Sequence, residues 1–406
     1  MLHIKPFSAL RPRPDLCQQV ASVPYDVVDR REASALARDN PLSFLHVSRS
    51  EIDLPEATDP YSPEVYRAAA ARFAGMQKDG TLVRDKRPSL YVYRLKRQSR
   101  CQHGIVACCS AADYENNIIK KHEKTRVDKE EDRKKHTAAL RAHSGPVFLI
   151  FRDQPDINLL TREAELQQPL YDFTAPDGVG HTVWPVSAPS AMINAFRQVP
   201  AAYIADGHHR AAAGVRVAGE LARREGQNPD AEFNFFLAVL FPASQLEILP
   251  YNRCVLNLGT LSAPERFLAE INKRFKVTGN APPNPARAGT MSMYFDKRWF
   301  CLEPARAAGK DPVAGLDVSI LQSELFEPIL GIKDPRTDKR LEFIGGIHGT
   351  QELESRVSSG RAAVAFSMYP VSVSQLLAIS DAGQCMPPKS TWFEPKLRDA
   401  LLIHTF

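Results

Sequence analysis

No Cys-x-x-Cys pair occurs among the seven cysteines, Cys17, Cys101, Cys108, Cys109, Cys254, Cys301 and Cys385. Neither a zinc ribbon nor a thioredoxin-type redox site is therefore indicated. An odd cysteine count predicts reduced thiols and a cytoplasmic protein. No apolar run is long enough to span a bilayer, and Met1-Leu2-His3-Ile4-Lys5-Pro6 opens no long apolar leader, so no membrane role is expected. Internal repeats are absent. There is no helix-turn-helix signature and no dense basic cluster. The net charge of +5 is mild and spread out, which suits an anionic small molecule and weighs against nucleic acid.

What is present describes an ordinary globular chain. Its 406 residues suffice for a large core, and 44% hydrophobic with 24% charged residues is typical of soluble proteins. Strand-like runs alternate with helical ones, which predicts a mixed α/β (α+β) fold. The pattern changes past Asn257, so two domains are expected: a core over 1–255 and a C-terminal α/β domain over 256–406.

The most informative stretch is Asp206-Gly207-His208-His209-Arg210. The apolar run Ala201-Ala202-Tyr203-Ile204 precedes it as a buried strand, and a helix-forming segment follows to about Arg224. A strand-turn-helix junction aims unpaired N–H groups and a positive dipole end at one point, which suits an anion. Gly207 permits a positive φ or close backbone approach, and Arg210 can grip a phosphate with two donors. The alternative is a tight turn in which Asp206 caps the helix and the histidines pair with carbonyls.

Elsewhere the local signals are clear. Asp29 is a plausible N-cap for a helix through about Asp39, which Asn40-Pro41 stops. Phe44-Leu45-His46-Val47 reads as a short buried strand. Pro63 opens a helix through Met76, and Leu90–Tyr93 with Gly104–Cys109 reads as a hairpin. Further strands are expected at Pro146–Phe151, Phe235–Phe241 and Leu246–Pro250, with a hairpin around Asp296-Lys297 and a helix from Asp317 to Leu330.

Residues 113–143 are the most charged. Opposite charges three and four apart predict an exposed, ion-paired helix. His122-Glu123 lacks a second histidine at zincin spacing. A functional reading makes Glu123 a base or a metal-facing carboxylate, beside His122, with Arg126, Lys129 and Arg133 as a basic wall. The segment Met386 to Lys396 is held extended by its prolines. It is either a strap packing Trp392 and Phe393, or a phosphate site lined by Lys389, Ser390, Thr391 and Lys396.

Val23-Pro24-Tyr25-Asp26-Val27-Val28, Asn40-Pro41 with Phe44–Val47, His122 to Arg133, Asp206 to Arg210 and Met386 to Lys396 together resemble the family catalogued as domain of unknown function 1015. The turn is similar to the phosphate-binding turn of the ParB/sulfiredoxin fold, a superfamily of partition proteins, sulfiredoxins and ADP- or ATP-dependent free serine kinases. The resemblance implies a ParB/sulfiredoxin-like core in which Asp206, Gly207, His208, His209 and Arg210 form the phosphate or metal end. It also implies a small-molecule kinase that phosphorylates free L-serine with ADP or ATP, with Asp206 helping to hold Mg²⁺. No cysteine lies within 206–210, so sulfiredoxin chemistry is not implied. A non-catalytic nucleotide- or metabolite-binding regulator remains the alternative. A homodimer is compatible with either reading.

Overall fold

The structure, a computed structural model, describes residues 1–305, 309 and 311–406. Their contacts form two units: Met1–Lys121, Thr125–Leu246 and Pro395–Phe406 in the first, and His122–Lys124 with Glu247–Glu394 in the second. The sequence reading placed two consecutive domains meeting at 255/256. The observed units are not consecutive, because the last twelve residues pair with strands and loops of the first unit.

In the first unit, apolar runs become a nine-stranded mixed sheet. Its strands are β1 (Ile4–Lys5), β2 (Tyr91–Arg97), β3 (Arg100–Ser110), β4 (Ile119–Lys120), β5 (Val147–Phe151), β6 (Tyr171–Thr174), β7 (Gly180–Pro185), β8 (Ala202–Asp206) and β9 (Phe235–Pro242). The order is β4-β8-β5-β9-β3-β2-β7-β6, with β1 added on β3. Only β4–β8 and β5–β9 pair in parallel. Every residue of β5 and β9 is buried, which is why those runs are apolar throughout rather than alternating. Leu149, Ile204, Phe236 and Leu240 sit together in the main core.

Two helices flank the Asp206–Arg210 turn. Helix α1 (Val127–Leu140) and helix α2 (His208–Glu225) are tied by Arg216 to Glu130 at 3.0 Å and to Glu131 at 2.7 Å, and by Lys134 to Glu220 at 2.8 Å. The charged stretch is therefore ion-paired, as expected, but largely to a second helix. Its other face carries the buried Asp132, His136 and Leu140.

The N-terminal part of this unit has a core of its own, with Leu10, Phe44, Val47, Phe73 and Ile403. Asp29 caps Arg30–Ala37 with a complete capping box, and Pro63–Lys78 is helical, as expected. Phe44–Val47 is not a strand: residues Leu45–Ser48 form a helical turn. Four apolar residues fit either form, and here the turn points Phe44 and Val47 at Phe73 without needing a strand neighbour. The chain end closes over this region, with His404–Thr405 pairing antiparallel to Ala142–His143 and Ser22 bridging to Asp399.

The second unit is built on an antiparallel six-stranded sheet. Its strands are β10 (Tyr251–Val255), β11 (Phe275–Gly279), β12 (Met291–Phe295), β13 (Arg298–Pro304), β14 (Leu341–Gly345) and β15 (Val364–Ser367), in the order β11-β13-β12-β15-β10-β14. Asp296 and Lys297 turn the β12–β13 hairpin with φ of 47° and 59°. The helix expected from Asp317 to Leu330 is shorter: Asp317–Leu321 passes into a π-helical turn over Gln322–Phe326. Trp392–Glu394 pairs with Glu247–Leu249, so this stretch of the tail is a strap. All seven cysteines are unbridged.

Candidate anion-binding site

The Asp-Gly-His-His-Arg turn sits where the sequence places it, at the C-terminal end of β8 and the start of α2. The β8–β5 register shifts between Ile204 and Asp206, a bulge that re-aims the end of the strand. Gly207 has φ of 88°, and a Cβ there would lie 3.1 Å from Arg210 Nε and 3.4 Å from Val147 Cα. Glycine is thus required twice, for its backbone conformation and for the arginine folded back across it.

Asp206 does not cap the helix. Its Oδ1 accepts from the Gly207 N–H at 2.8 Å, and its Oδ2 accepts from Lys396 Nζ at 3.0 Å. Burial alone would raise its pKa, but the Lys396 ammonium and the Arg210 guanidinium outweigh that and hold the carboxyl well below the usual range. A carboxylate with an ammonium at contact distance is a poor divalent-cation ligand, so the expected Mg²⁺ role of Asp206 does not fit this arrangement. His209 Nε2 accepts from the Arg126 N–H at 3.0 Å, and His208 is buried.

Arg210 turns into the first unit. Its side chain is only 10% exposed; Nη1 donates to the Pro146 carbonyl at 2.7 Å and lies 3.9 Å from Asp399 Oδ1. Burial works against its charge, but Asp26, Asp399 and Asp206 together keep it firmly protonated. Beside it opens a cleft lined by Tyr25, Ser48, Arg133, His136, Arg210 and Asp399. Arg133, with its side chain 11% exposed, stacks 3.8 Å above the Tyr25 ring and donates to Asp132 at 2.9 Å. A second hollow shares Tyr25, Ser48, Arg133 and His136 and continues to Arg49, Tyr61 and Lys129. Lys129 Nζ donates to Tyr61 Oη at 2.6 Å.

Of the sequence-derived residues, the first unit brings Arg210 and Arg133 to one cleft and Lys129 to its extension. Arg126 meets the turn only through its backbone N–H; its side chain is exposed and paired to Asp128 at 2.8 Å. His122 and Glu123 belong to the second unit, as do Lys389, Ser390 and Thr391. The His122 carbonyl accepts from the Met386 N–H at 2.8 Å, and Ser390 Oγ donates to the Pro387 carbonyl at 2.7 Å.

Tyr25, Ser48, His136 and Asp399 were missed as site residues. Tyr25 lay in plain view within Pro24-Tyr25-Asp26. Asp399 also left a trace, since Arg398-Asp399 interrupts the apolar run from Leu397 to Ile403, and a charged pair inside such a run signals buried, committed charges. Ser48 and His136 left none.

These features define a mixed α/β protein whose first unit holds a cleft bordered by the buried Arg210 and Arg133. The chain belongs to the family described as protein of unknown function DUF1015, whose profile matches residues 4–319. No curated protein matches it in sequence. Among solved structures it is similar to a mutant free serine kinase in complex with AMP, at 11% identity and TM-score 0.37, covering 70% of this chain and 90% of that one. It is likewise similar to SbnI with a C-terminal truncation from Staphylococcus aureus, at 11% identity and TM-score 0.37, covering 73% and 87%. A conserved hypothetical protein from Pyrococcus furiosus matches at 12% identity and TM-score 0.34, covering 70% and 93%. No helix among the described residues is long and apolar enough to cross a membrane.

Proposed function

We propose that the protein is a nucleotide-dependent small-molecule kinase that transfers a phosphoryl group from ADP or ATP to the hydroxyl of free L-serine. The observation that carries this reading is the pair of buried guanidinium groups, Arg210 and Arg133, bordering one cleft. Phosphoryl transfer asks mainly for positioning and for cations around the terminal phosphate, and planar donors in a partly desolvated cleft supply both. Arg210 binds the transferred phosphate, with Arg133 held ready by Tyr25 and Asp132. Mg²⁺ accompanies the nucleotide rather than residing on the protein, because Asp206 is committed to Lys396.

Purified protein incubated with serine and either nucleotide, followed by phosphorus NMR, tests the reading. O-phosphoserine formed at a catalytic rate, and lost in Arg210→Ala, is the expected result. Saturable nucleotide binding with no phosphoserine identifies a sensor instead.

A further inference from the structure

Within the cleft, two complementary polar atoms have no hydrogen-bond partner among the described residues: Arg210 Nε, a donor, and Asp399 Oδ1, an acceptor. Both side chains are buried, at 10% and 3% exposure. Arg210 Nη1, which donates to the Pro146 carbonyl, stands 3.9 Å from Asp399 Oδ1, too long for a hydrogen bond. Leaving a buried polar atom unsatisfied is expensive, and both residues line the cleft, so the pair points to a ligand that completes both. The group that fits is one with a phosphate oxygen to accept from Nε and a hydroxyl to donate to Oδ1.

Asp399 is also held in place more tightly than a surface counter-ion needs to be. Its N–H donates to the Ser22 carbonyl at 2.9 Å, its carbonyl accepts from Ser22 N–H at 3.3 Å, and the Ala400 N–H donates to the Ser144 carbonyl at 2.8 Å. Ala400 takes φ of 65°, a strained conformation for a residue with a Cβ. Gly145 faces the carboxyl so closely that an added Cβ would meet Asp399 Cγ at 2.9 Å. Backbone strain and a missing side chain both serve to seat one carboxylate at the cleft wall.

We infer that Asp399 is the general base of the reaction, a role that sequence reading gave to Glu123; the inference rests on the kinase reading above. Asp399 Oδ1 accepts the proton of the acceptor hydroxyl as that oxygen bonds to the terminal phosphorus of the nucleotide. The bond from phosphorus to the bridging oxygen breaks, its electron pair leaves with the shortened nucleotide, and the proton on Asp399 passes to solvent when product departs. Burial, with Asp26 adding to it, pushes Asp399 up to about 7 against Arg210, Arg133 and Arg398, so ionised carboxylate is available near neutral pH without being fully committed to a counter-ion.

Wild type, Asp399→Asn and Glu123→Gln, assayed for phosphoserine from pH 5.5 to 9 with nucleotide binding measured by calorimetry, test the assignment. In wild type kcat rises with pH through about 7. Asp399→Asn loses about 100-fold or more in kcat, keeps its nucleotide affinity within about threefold, and no longer shows that limb. Asparagine that retains kcat, a limb that persists in it, or complete loss in Glu123→Gln beside an active Asp399→Asn overturns the inference. Should the asparagine variant not fold, a wild-type profile flat across pH 7 overturns it equally. Wild type that makes no phosphoserine at all defeats the kinase reading itself, and this inference with it.

Discussion

Lys396 Nζ lies 3.0 Å from Asp206 Oδ2, joining the chain's tail to the start of its most distinctive turn across 190 residues. Neither side chain is free to the solvent, so the pair draws on partial desolvation as well as charge. Lys396→Met strands the carboxylate and is expected to cost about 1–3 kcal/mol. Urea unfolding measures it, and adding Asp206→Asn should recover part of the loss, because the uncompensated charge goes too.

Gly207→Ala forces a Cβ into a backbone with φ of 88° and against Arg210 Nε. The expected loss is about 1–2 kcal/mol. Nucleotide affinity should fall by more than that stability loss explains, since Arg210 must move. Calorimetric binding beside a melting curve separates the two effects, and unchanged affinity counts against the placement of Arg210.

Acid should weaken the first unit well above the carboxylate range. Burial lowers His136 to about 4, and His143 and His181 to about 3. Above the ordinary histidine pKa of about 6.5, folded and unfolded chains are both neutral at these positions, and the full stability is present. As pH falls below that value the unfolded chain gains protons that the folded one refuses, so stability declines down to the folded pKa values. Urea midpoints from pH 7.5 to 5 should drop, and replacing His136, whose Nε2 donates to the Val47 carbonyl at 3.0 Å, with Asn should flatten the slope.

Gly345→Ala probes the second unit alone. An added Cβ would lie 2.7 Å from the Trp392 ring, which packs edge-on against Tyr251 at 5.2 Å between centres. Trp392 must be displaced, so its share of the tryptophan emission should shift towards that of a solvated indole. An unaltered spectrum means that the strap is not seated as described.

Much of this architecture was legible one segment at a time. The junction of β8, Gly207 and α2 follows from an apolar run, a glycine and an alanine-rich stretch in succession. The N-cap at Asp29 and the hairpin at Asp296-Lys297 are equally local. Each depends on neighbours within a few residues, where propensity and turn chemistry act before any packing. The short run Phe44–Val47 was misread because four apolar residues carry no period long enough to separate helix from strand.

Partnership between distant residues was a different matter. That Lys396 answers Asp206 and that Asp399 arrives beside Arg210 depend on how the last twelve residues close on the first unit, and that Arg133 rather than Arg126 turns inward depends on its meeting Tyr25 and Asp132. The composition of those segments showed only that the charges existed. Which of them faced each other was set by packing, because a buried ion keeps its place only where the folded chain brings it a partner or a ligand.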